Sequence, residues 1–304
     1  MQYISYLLFR LFRLLMKIVP FWLLYLLSDF MFVLFYYVIR YRRAVVLGNL
    51  TRSFPDKSQQ EIKKIMRAFY SHFGDILVES IKGYGMTQKQ IDKRYRILNP
   101  EIVDDLYEAN RGLIACAYHY GNWEWGIMAV ASKFKHQAIS LYMPVANKHI
   151  ERYLKKLRAD NGMEMVSIRE TKEAFMVERK RPPMIIMAAD QNPSPLKNAI
   201  WMKFLNQITA CIHGPEAYSK KMDFPLIFFD VKKVKRGYYT LEVKRLIDNP
   251  RQTELGEITK AYMSTVEKLI NQKPDFWLWS HKRWKYTLEQ YNEHGRALFP
   301  DLDK

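Results

Sequence analysis

Hydrophobic residues between positions 112 and 271 follow two alternating patterns. Short, continuous apolar runs are typical of buried β-strands, and apolar residues spaced three and four apart are typical of helices. Strands are predicted for residues 113–118, 138–142, 163–168, 184–188, 226–231 and 238–243. Helices are predicted for residues 122–130, 147–159, 171–179 and 255–271. This alternation predicts an α/β fold with a mainly parallel sheet flanked by helices.

The chain before this alternation is helical. Apolar residues recur with helical spacing between positions 49 and 82, and residues 55–58 are predicted to form a turn with an N-cap for the helix that follows. We expect this helical entry and the alternating region to form one domain over residues 44–304. No internal repeat, low-complexity tract or linker divides that range.

The first 43 residues are much more apolar than the rest. Residues 18–39 carry a single charge, Asp29, and are long enough to cross a bilayer. A carboxylate at the centre of a span costs about 2.5–3.5 kcal/mol, and Pro20 interrupts the helical pattern. We therefore expect residues 1–43 to form an uncleaved membrane-anchoring helical segment, either one imperfect span or a helix pair lying in the interface. A buried core helix of a soluble protein is the alternative.

Charge narrows the choice of partners. The chain has 48 Lys and Arg residues against 31 Asp and Glu, a formal net charge of +17. Such an excess attracts nucleic acid, an anionic membrane, phosphorylated substrates or an acidic carrier protein. The sequence has no RNA-binding aromatic motif, zinc-finger spacing or helix-turn-helix, which argues against nucleic acid. Cys116 and Cys211 lack metal-type spacing and are expected to be reduced, so the domain should face a cytoplasm.

The strongest candidate for chemistry is His119, placed after the strand 113–118 and before a helix for which Asn122 is the expected N-cap. Catalytic groups of open α/β sheets lie at such strand ends. An imidazole can act as a general base when a carboxylate holds its other nitrogen, and Glu124 is the nearest carboxylate in sequence. The spacing does not match an HExxH zinc site, and no GxSxG nucleophile motif is present. We expect His119 to activate a substrate hydroxyl; a structural histidine is the alternative for this motif alone.

The sequence HYGNWE at 119–124 resembles the H-x4-D/E motif of the glycerolipid (lysophospholipid) acyltransferase superfamily. Further motifs occur in an order that resembles the lauroyl/myristoyl branch of the lipid A biosynthesis acyltransferase family. These motifs, which span nearly the whole chain, are RYRR at 40–43, GNL at 48–50, SFP at 53–55, YMPVANK at 142–148, Arg158, ADQN at 189–192 and WLWSHKRW at 277–284.

The resemblance implies a membrane-associated enzyme that moves a fatty acyl chain from an acyl-carrier-protein thioester to a lipid hydroxyl. The acceptor is a phosphorylated lipid A precursor or another membrane lipid, and the location is a bacterial inner membrane with the catalytic domain facing the cytoplasm. No cofactor or metal is called for. Competing interpretations are a hydrolase and a non-catalytic protein that binds anionic membrane lipids.

The resemblance also implies residue roles. His119 is the general base and Glu124 orients it. Arg158 binds phosphate or stabilises developing charge, although a solvated basic helix face would explain it equally well. Asp190 helps to order the site, with a turn or capping role as the alternative. Gln191 and Asn122 complete the predicted substrate-binding set.

Overall fold

The computed structural model describes residues 2–194, 196 and 199–286. The α-helices among these residues are α1 Gln2–Ile18, α2 Phe21–Val33, α3 Arg43–Ser53, α4 Gln59–Gly83, α5 Gln88–Arg94, α6 Asp104–Glu108, α7 Trp123–Val130, α8 Lys148–Ala159, α9 Thr171–Met176, α10 Gly214–Met222 and α11 Glu257–Gln272. The strands are β1 Tyr95–Ile97, β2 Leu113–Ala117, β3 Gln137–Tyr142, β4 Glu164–Ser167, β5 Pro183–Ala188, β6 Ile200–Phe204, β7 Gln207–Cys211, β8 Leu226–Lys235 and β9 Tyr238–Ile247. A π-helical turn covers Leu34–Val38, and 3-10 turns cover Pro100–Val103, Ile168–Glu170, Pro250–Gln252 and Pro274–Phe276.

Seven strands form one sheet in the order β1–β9–β8–β2–β5–β3–β4. All neighbouring pairs are parallel except the hairpin of β8 and β9. The mainly parallel α/β fold predicted from the sequence is therefore confirmed. Helices cover both faces, which explains why β2 and β5 are continuous apolar runs rather than alternating ones.

Two hydrophobic cores lie on opposite faces of the sheet. One face packs against α4 and α11, through buried residues such as Phe69 and Val266. The other face packs against α5 and α7, through residues such as Ile91 and Trp125. A capping box at Ser58 and Glu61 starts α4, as the turn at 55–58 predicted.

Two local predictions need correction. The helix predicted for 171–179 ends at Met176, because Val177 adopts an extended conformation and the Arg179 guanidinium donates to the Ala174 and Val177 carbonyls. The antiparallel hairpin of β6 and β7 was not predicted. Its turn consists of Leu205 and Asn206, both with positive φ, and lacks the glycine that marks most such turns.

The N-terminal segment contains two helices, α1 before the predicted span and a continuous helical stretch, Phe21–Val38, over most of it. The helix breaks at Val19 and Pro20, since the residue before a proline avoids the helical conformation and proline has no N–H to donate. The stretch Phe21–Val38 is apolar and long enough to cross a bilayer, and only 17% of it is buried. Length and composition alone also fit other roles for such a helix.

Polar contacts join this segment to the rest of the chain. Asp29, the single charge of the predicted span, forms an ion pair of 2.6 Å with Arg236. The same guanidinium binds Asp75 of α4, whose carboxylate also accepts a hydrogen bond of 2.7 Å from Ser28. The backbones of α2 and α4 approach closely at Gly74, where an added Cβ would lie 2.9 Å from the Ser28 carbonyl oxygen.

Candidate active site

The carboxyl ends of β2 and β5 bring His119 and Asp190 together. The strands are parallel neighbours in which Ala117 is paired with Ala188, and the two side chains follow two residues later on each strand. Tyr262 of α11 fastens both strand ends, since its hydroxyl donates to the Ala117 carbonyl and accepts from the Ala189 N–H.

Asp190 holds His119 by two hydrogen bonds. Its Oδ1 lies 2.8 Å from Nδ1 of the ring, and its Oδ2 accepts from the His119 backbone N–H at 3.0 Å. Trp277 donates its indole N–H to the same Oδ2 at 2.9 Å. Glu124 is therefore not the carboxylate that orients His119 in this structure, and that prediction is corrected. Asp190 is 1% exposed, and its carboxylate is occupied by His119 and Trp277.

Electrostatic interactions couple the protonation of His119 to the charge of Asp190. Burial alone would lower the pKa of His119, but the carboxylates of Asp190 and Glu124 outweigh it and raise that pKa above its usual value. Burial alone would raise the pKa of Asp190, but the charge of His119 and the hydrogen bonds from His119 and Trp277 hold it below its usual value. Asp190 is thus ionised at neutral pH.

The pairing fixes the tautomer of His119. With Nδ1–H donating to Asp190, Nε2 is the ring nitrogen that can accept a proton. The side chain is 23% exposed and lines a cavity, and the ring of Trp123 lies edge-on to it at 5.4 Å. This arrangement can deprotonate a hydroxyl placed in the cavity.

Glu124 pairs with a different predicted residue. Its Oε2 lies 3.4 Å from Nη2 of Arg158, because the first turn of α7 directs this carboxylate towards α8. Both side chains line the cavity together with His119. The structure therefore brings three predicted residues to one site, with Glu124 as the partner of Arg158.

Asn122 and Gln191, unlike His119, Glu124 and Arg158, do not line the cavity. Asn122 is the N-cap of α7, as predicted, and accepts from the Trp125 N–H at 2.9 Å. Its amide group donates to Glu79 at 2.7 Å, and the residue is 0% exposed. Both polar atoms of its side chain are thus engaged within the protein, and Asn122 is not among the described residues that line the cavity. Gln191 is half-buried beside Asp190 and is not among the described residues that line the cavity.

The cavity has a volume of about 410 Å³, within the range typical of ligand pockets. It lies between α7, α8 and the sheet. Most of its wall is apolar, with contributions from Ile127, Val130, Leu154, Met165, Ile186 and Phe229. A site with one polar end and a long apolar wall suits a reacting group attached to a hydrocarbon chain.

Two further kinds of group were sought among the described residues, metal-binding clusters and reactive thiols. No group of three or more His, Cys, Asp or Glu side chains in that part of the chain could hold a metal ion. Cys116 and Cys211 are buried free thiols. Burial raises the pKa of Cys116 to about 12, so it is protonated and is not a nucleophile.

The sequence model of a family described as bacterial lipid A biosynthesis acyltransferase matches residues 1–286. The chain belongs to this family. The resemblance stated from the motifs is thereby confirmed, and the protein is an acyltransferase of lipid A biosynthesis.

Two relatives support this assignment. The chain is 23% identical to the lipid A biosynthesis lauroyltransferase of Escherichia coli over 80% of this chain and 79% of the relative. It is 22% identical to a lipid A biosynthesis acyltransferase of Haemophilus influenzae over 80% of this chain and 78% of that protein.

Two contacts that support the site of this acyltransferase were not predicted from its sequence. Trp277 lies in the C-terminal aromatic motif, but nothing in the sequence connects its indole with Asp190, which is 87 positions away. Glu79 lies in α4 and has no motif of its own, yet it binds Asn122 inside the HYGNWE sequence. Both contacts depend on how distant segments pack.

Proposed function

We propose that this acyltransferase moves a fatty acyl chain from an acyl-carrier-protein thioester to a hydroxyl of a phosphorylated lipid A precursor, with His119 as the general base. The observation that carries the proposal is the pair of His119 and Asp190 at the polar end of an apolar cavity. Asp190 takes the orienting role that the sequence motif had given to Glu124.

The reaction balances with these groups. The acceptor hydroxyl passes its proton to Nε2 of His119 while its oxygen attacks the thioester carbonyl carbon. The carbon–sulfur bond then breaks, and the thiolate of the carrier takes the proton back from the imidazolium. Asp190 stabilises the imidazolium that forms between the two steps. The products are a new ester and the free thiol.

Positive charge near the cavity suits both substrates. Arg158 supplies charge for a phosphate of the acceptor or for the oxyanion, and Glu124 holds its guanidinium in place. On the outer face of α8, Lys148, Arg152 and Lys156 are exposed at intervals of four residues. Such a stripe would attract an acidic carrier protein to the helix that also lines the cavity.

The N-terminal segment supports a membrane location. Residues 1–43 serve as the anchor in this proposal, and the domain over 44–304 works at the cytoplasmic face of a bacterial inner membrane. Apolar residues of α1, including Leu8, Leu11 and Leu15, are about half exposed or more. An amphipathic helix of this kind lies in the membrane interface. Replacing these three leucines with glutamate should release the protein from anionic vesicles in a flotation assay; unchanged flotation contradicts this role for α1.

The test of the reaction uses protein purified in detergent, an acyl-carrier-protein thioester and a tetraacyl lipid A precursor. Mass spectrometry should show a gain of one acyl chain, and His119→Ala should reduce the rate by about 10²- to 10⁴-fold. Full activity in a folded His119→Ala variant would overturn the assignment of the base. Thioester loss without lipid acylation would indicate a hydrolase or a different acceptor.

A further inference from the structure

Glu79 is a buried carboxylate that the proposed reaction does not use. It lies in α4, is 0% exposed and accepts three side-chain hydrogen bonds from three separate parts of the chain. Tyr25 of α2 donates to Oε1 at 2.9 Å. Asn122 and Tyr239 donate to Oε2 at 2.7 and 2.8 Å. The Glu79 backbone carbonyl also accepts from the indole N–H of Trp125 at 2.7 Å.

This cluster carries a cost in stability. A buried carboxylate whose hydrogen-bond donors are neutral loses its hydration, and those donors replace it only in part. Accordingly, burial raises the pKa of Glu79 despite the hydrogen bonds. Replacing the whole cluster with well-packed apolar side chains would serve stability equally well, so the cluster calls for an explanation other than stability.

The explanation lies at Asn122. Its side-chain oxygen caps α7, while its amide group binds Glu79. The preceding Gly121 has a φ of +57° and donates its N–H to the Phe276 carbonyl at 3.1 Å. The turn between His119 and Glu124 is therefore fixed from two sides, and Glu79 is the contact that fixes its helical end.

We infer that Glu79 is a positioning residue, which holds Asn122 so that the turn at 120–123 sets the distance between Nε2 of His119 and the pair of Glu124 and Arg158. Tyr25 holds Glu79 in turn, so the N-terminal segment contributes to the geometry of the site as well as to its location. This inference rests on the proposed function of His119.

The test exchanges donor and acceptor in the hydrogen bond between Asn122 and Glu79. Asn122→Asp keeps a good helix cap but sets a carboxylate against that of Glu79. Glu79→Gln keeps an acceptor for Asn122 and Tyr239, and its amide group can donate to Tyr25. In the double variant, the amide introduced at position 79 can donate to the carboxylate introduced at position 122. The lost contact then returns with donor and acceptor exchanged.

We expect Asn122→Asp to lower kcat about thirtyfold, which is the loss of a hydrogen bond to a charged group. Glu79→Gln should stay within about threefold of wild type, and the double variant should recover most of the loss. The KM for the acyl donor should change by less than about twofold in each, because the cavity wall is untouched. Thermal unfolding is measured beside every rate.

Several results would overturn the inference. These are a wild-type kcat in Asn122→Asp, no recovery in a folded double variant, and a kcat loss that merely follows the unfolded fraction. If Asn122→Asp does not fold, Tyr25→Phe decides: kcat should fall about threefold at unchanged KM, whereas the exposed Tyr37→Phe on the same segment should have no effect. Equal rates in these two variants would reject the inference.

Wild type and His119→Ala in the same assay separate the two proposals. An inactive wild type or an active His119→Ala contradicts the proposed function. A normal response of these two with an unaffected Asn122→Asp contradicts only the role of Glu79.

Discussion

Asp190 and Glu79 are both buried carboxylates next to the HYGNWE turn, yet their surroundings differ. Asp190 faces a group that can carry positive charge, and its pKa lies below the usual value. Glu79 faces two tyrosines and an asparagine, and its pKa lies above the usual value. The negative charge of Asp190 stabilises the imidazolium of His119, whereas Glu79 only orients the side chain of Asn122. Burial alone therefore does not reveal what a carboxylate does; the chemistry of its donors does.

The largest effect is expected from removing the charge of Asp190. Asp190→Asn should lower kcat by about 10²- to 10³-fold, since the imidazolium loses its partner. The base works in its neutral form, so the rate rises with pH through the pKa of His119. Asp190 raises that pKa, and the variant should therefore move the acid limb of the pH profile to lower pH.

The control for this experiment is Asp230→Asn. Asp230 is also buried, but it pairs with Lys244 rather than with a residue of the site. The Asp230→Asn variant should have the same midpoint of the acid limb as wild type. An unmoved midpoint in Asp190→Asn would show that the carboxylate does not act on His119 electrostatically.

Glu124→Gln should have an intermediate effect. Glu124 also raises the pKa of His119, but less than Asp190 does, and its carboxylate binds Arg158 while Asp190 holds the ring. We expect kcat to fall about tenfold, mainly because Arg158 loses its charged partner. Single-turnover rates of Glu124→Gln and Asp190→Asn at one pH provide the comparison. A loss as large as that of Asp190→Asn would return the orienting role to Glu124.

The carboxylate that orients His119 was predicted wrongly for a physical reason. The strand patterns placed His119 and Asp190 correctly at the ends of β2 and β5. Local sequence does not state that these strands are neighbours, and only their pairing brings together two residues 71 positions apart. Glu124 was the obvious partner because it is close in sequence, but the first turn of α7 directs it to α8.

Elsewhere in the chain, too, features with local sequence signals were predicted and features that depend on tertiary contacts were not. Amphipathic spacing and a capping box predicted α4 well, because both signals are local. The hairpin of β6 and β7 depends on Leu205 and Asn206 adopting positive φ without a glycine, which local sequence does not signal. The contacts of Glu79 and Trp277 arise from tertiary packing, so no local sequence motif predicts them.

Ionisation of the two carboxylates should change the free energy of unfolding in opposite directions. The folded-state pKa of Asp190 is depressed, so its contribution to stability is present above its unfolded pKa and is lost as pH falls through the folded value. The folded-state pKa of Glu79 is raised, so the protein loses stability as pH rises from the unfolded pKa towards the folded one.

Chemical unfolding between about pH 3 and pH 6 should therefore give diverging curves. Relative to wild type, Glu79→Gln should gain unfolding free energy as pH rises, and Asp190→Asn should lose it. Both measurements stay below the titration of a free histidine, which limits the contribution of His119. Parallel curves for the two variants would remove the contrast between these carboxylates.

The smallest effect on kcat concerns the apolar wall, where neither carboxylate takes part. Ile127 lies on α7 three residues after Glu124 and lines the cavity. Ile127→Phe narrows the space for the donor chain and should favour shorter chains. A buried methylene contributes about 0.8 kcal/mol, or about fourfold in affinity, so the loss should grow with each carbon that no longer fits. The effect should fall on KM, while Asn122→Asp changes kcat. Donor thioesters of graded length provide the measurement, and an equal loss for every length would mean that the chain does not occupy this cavity.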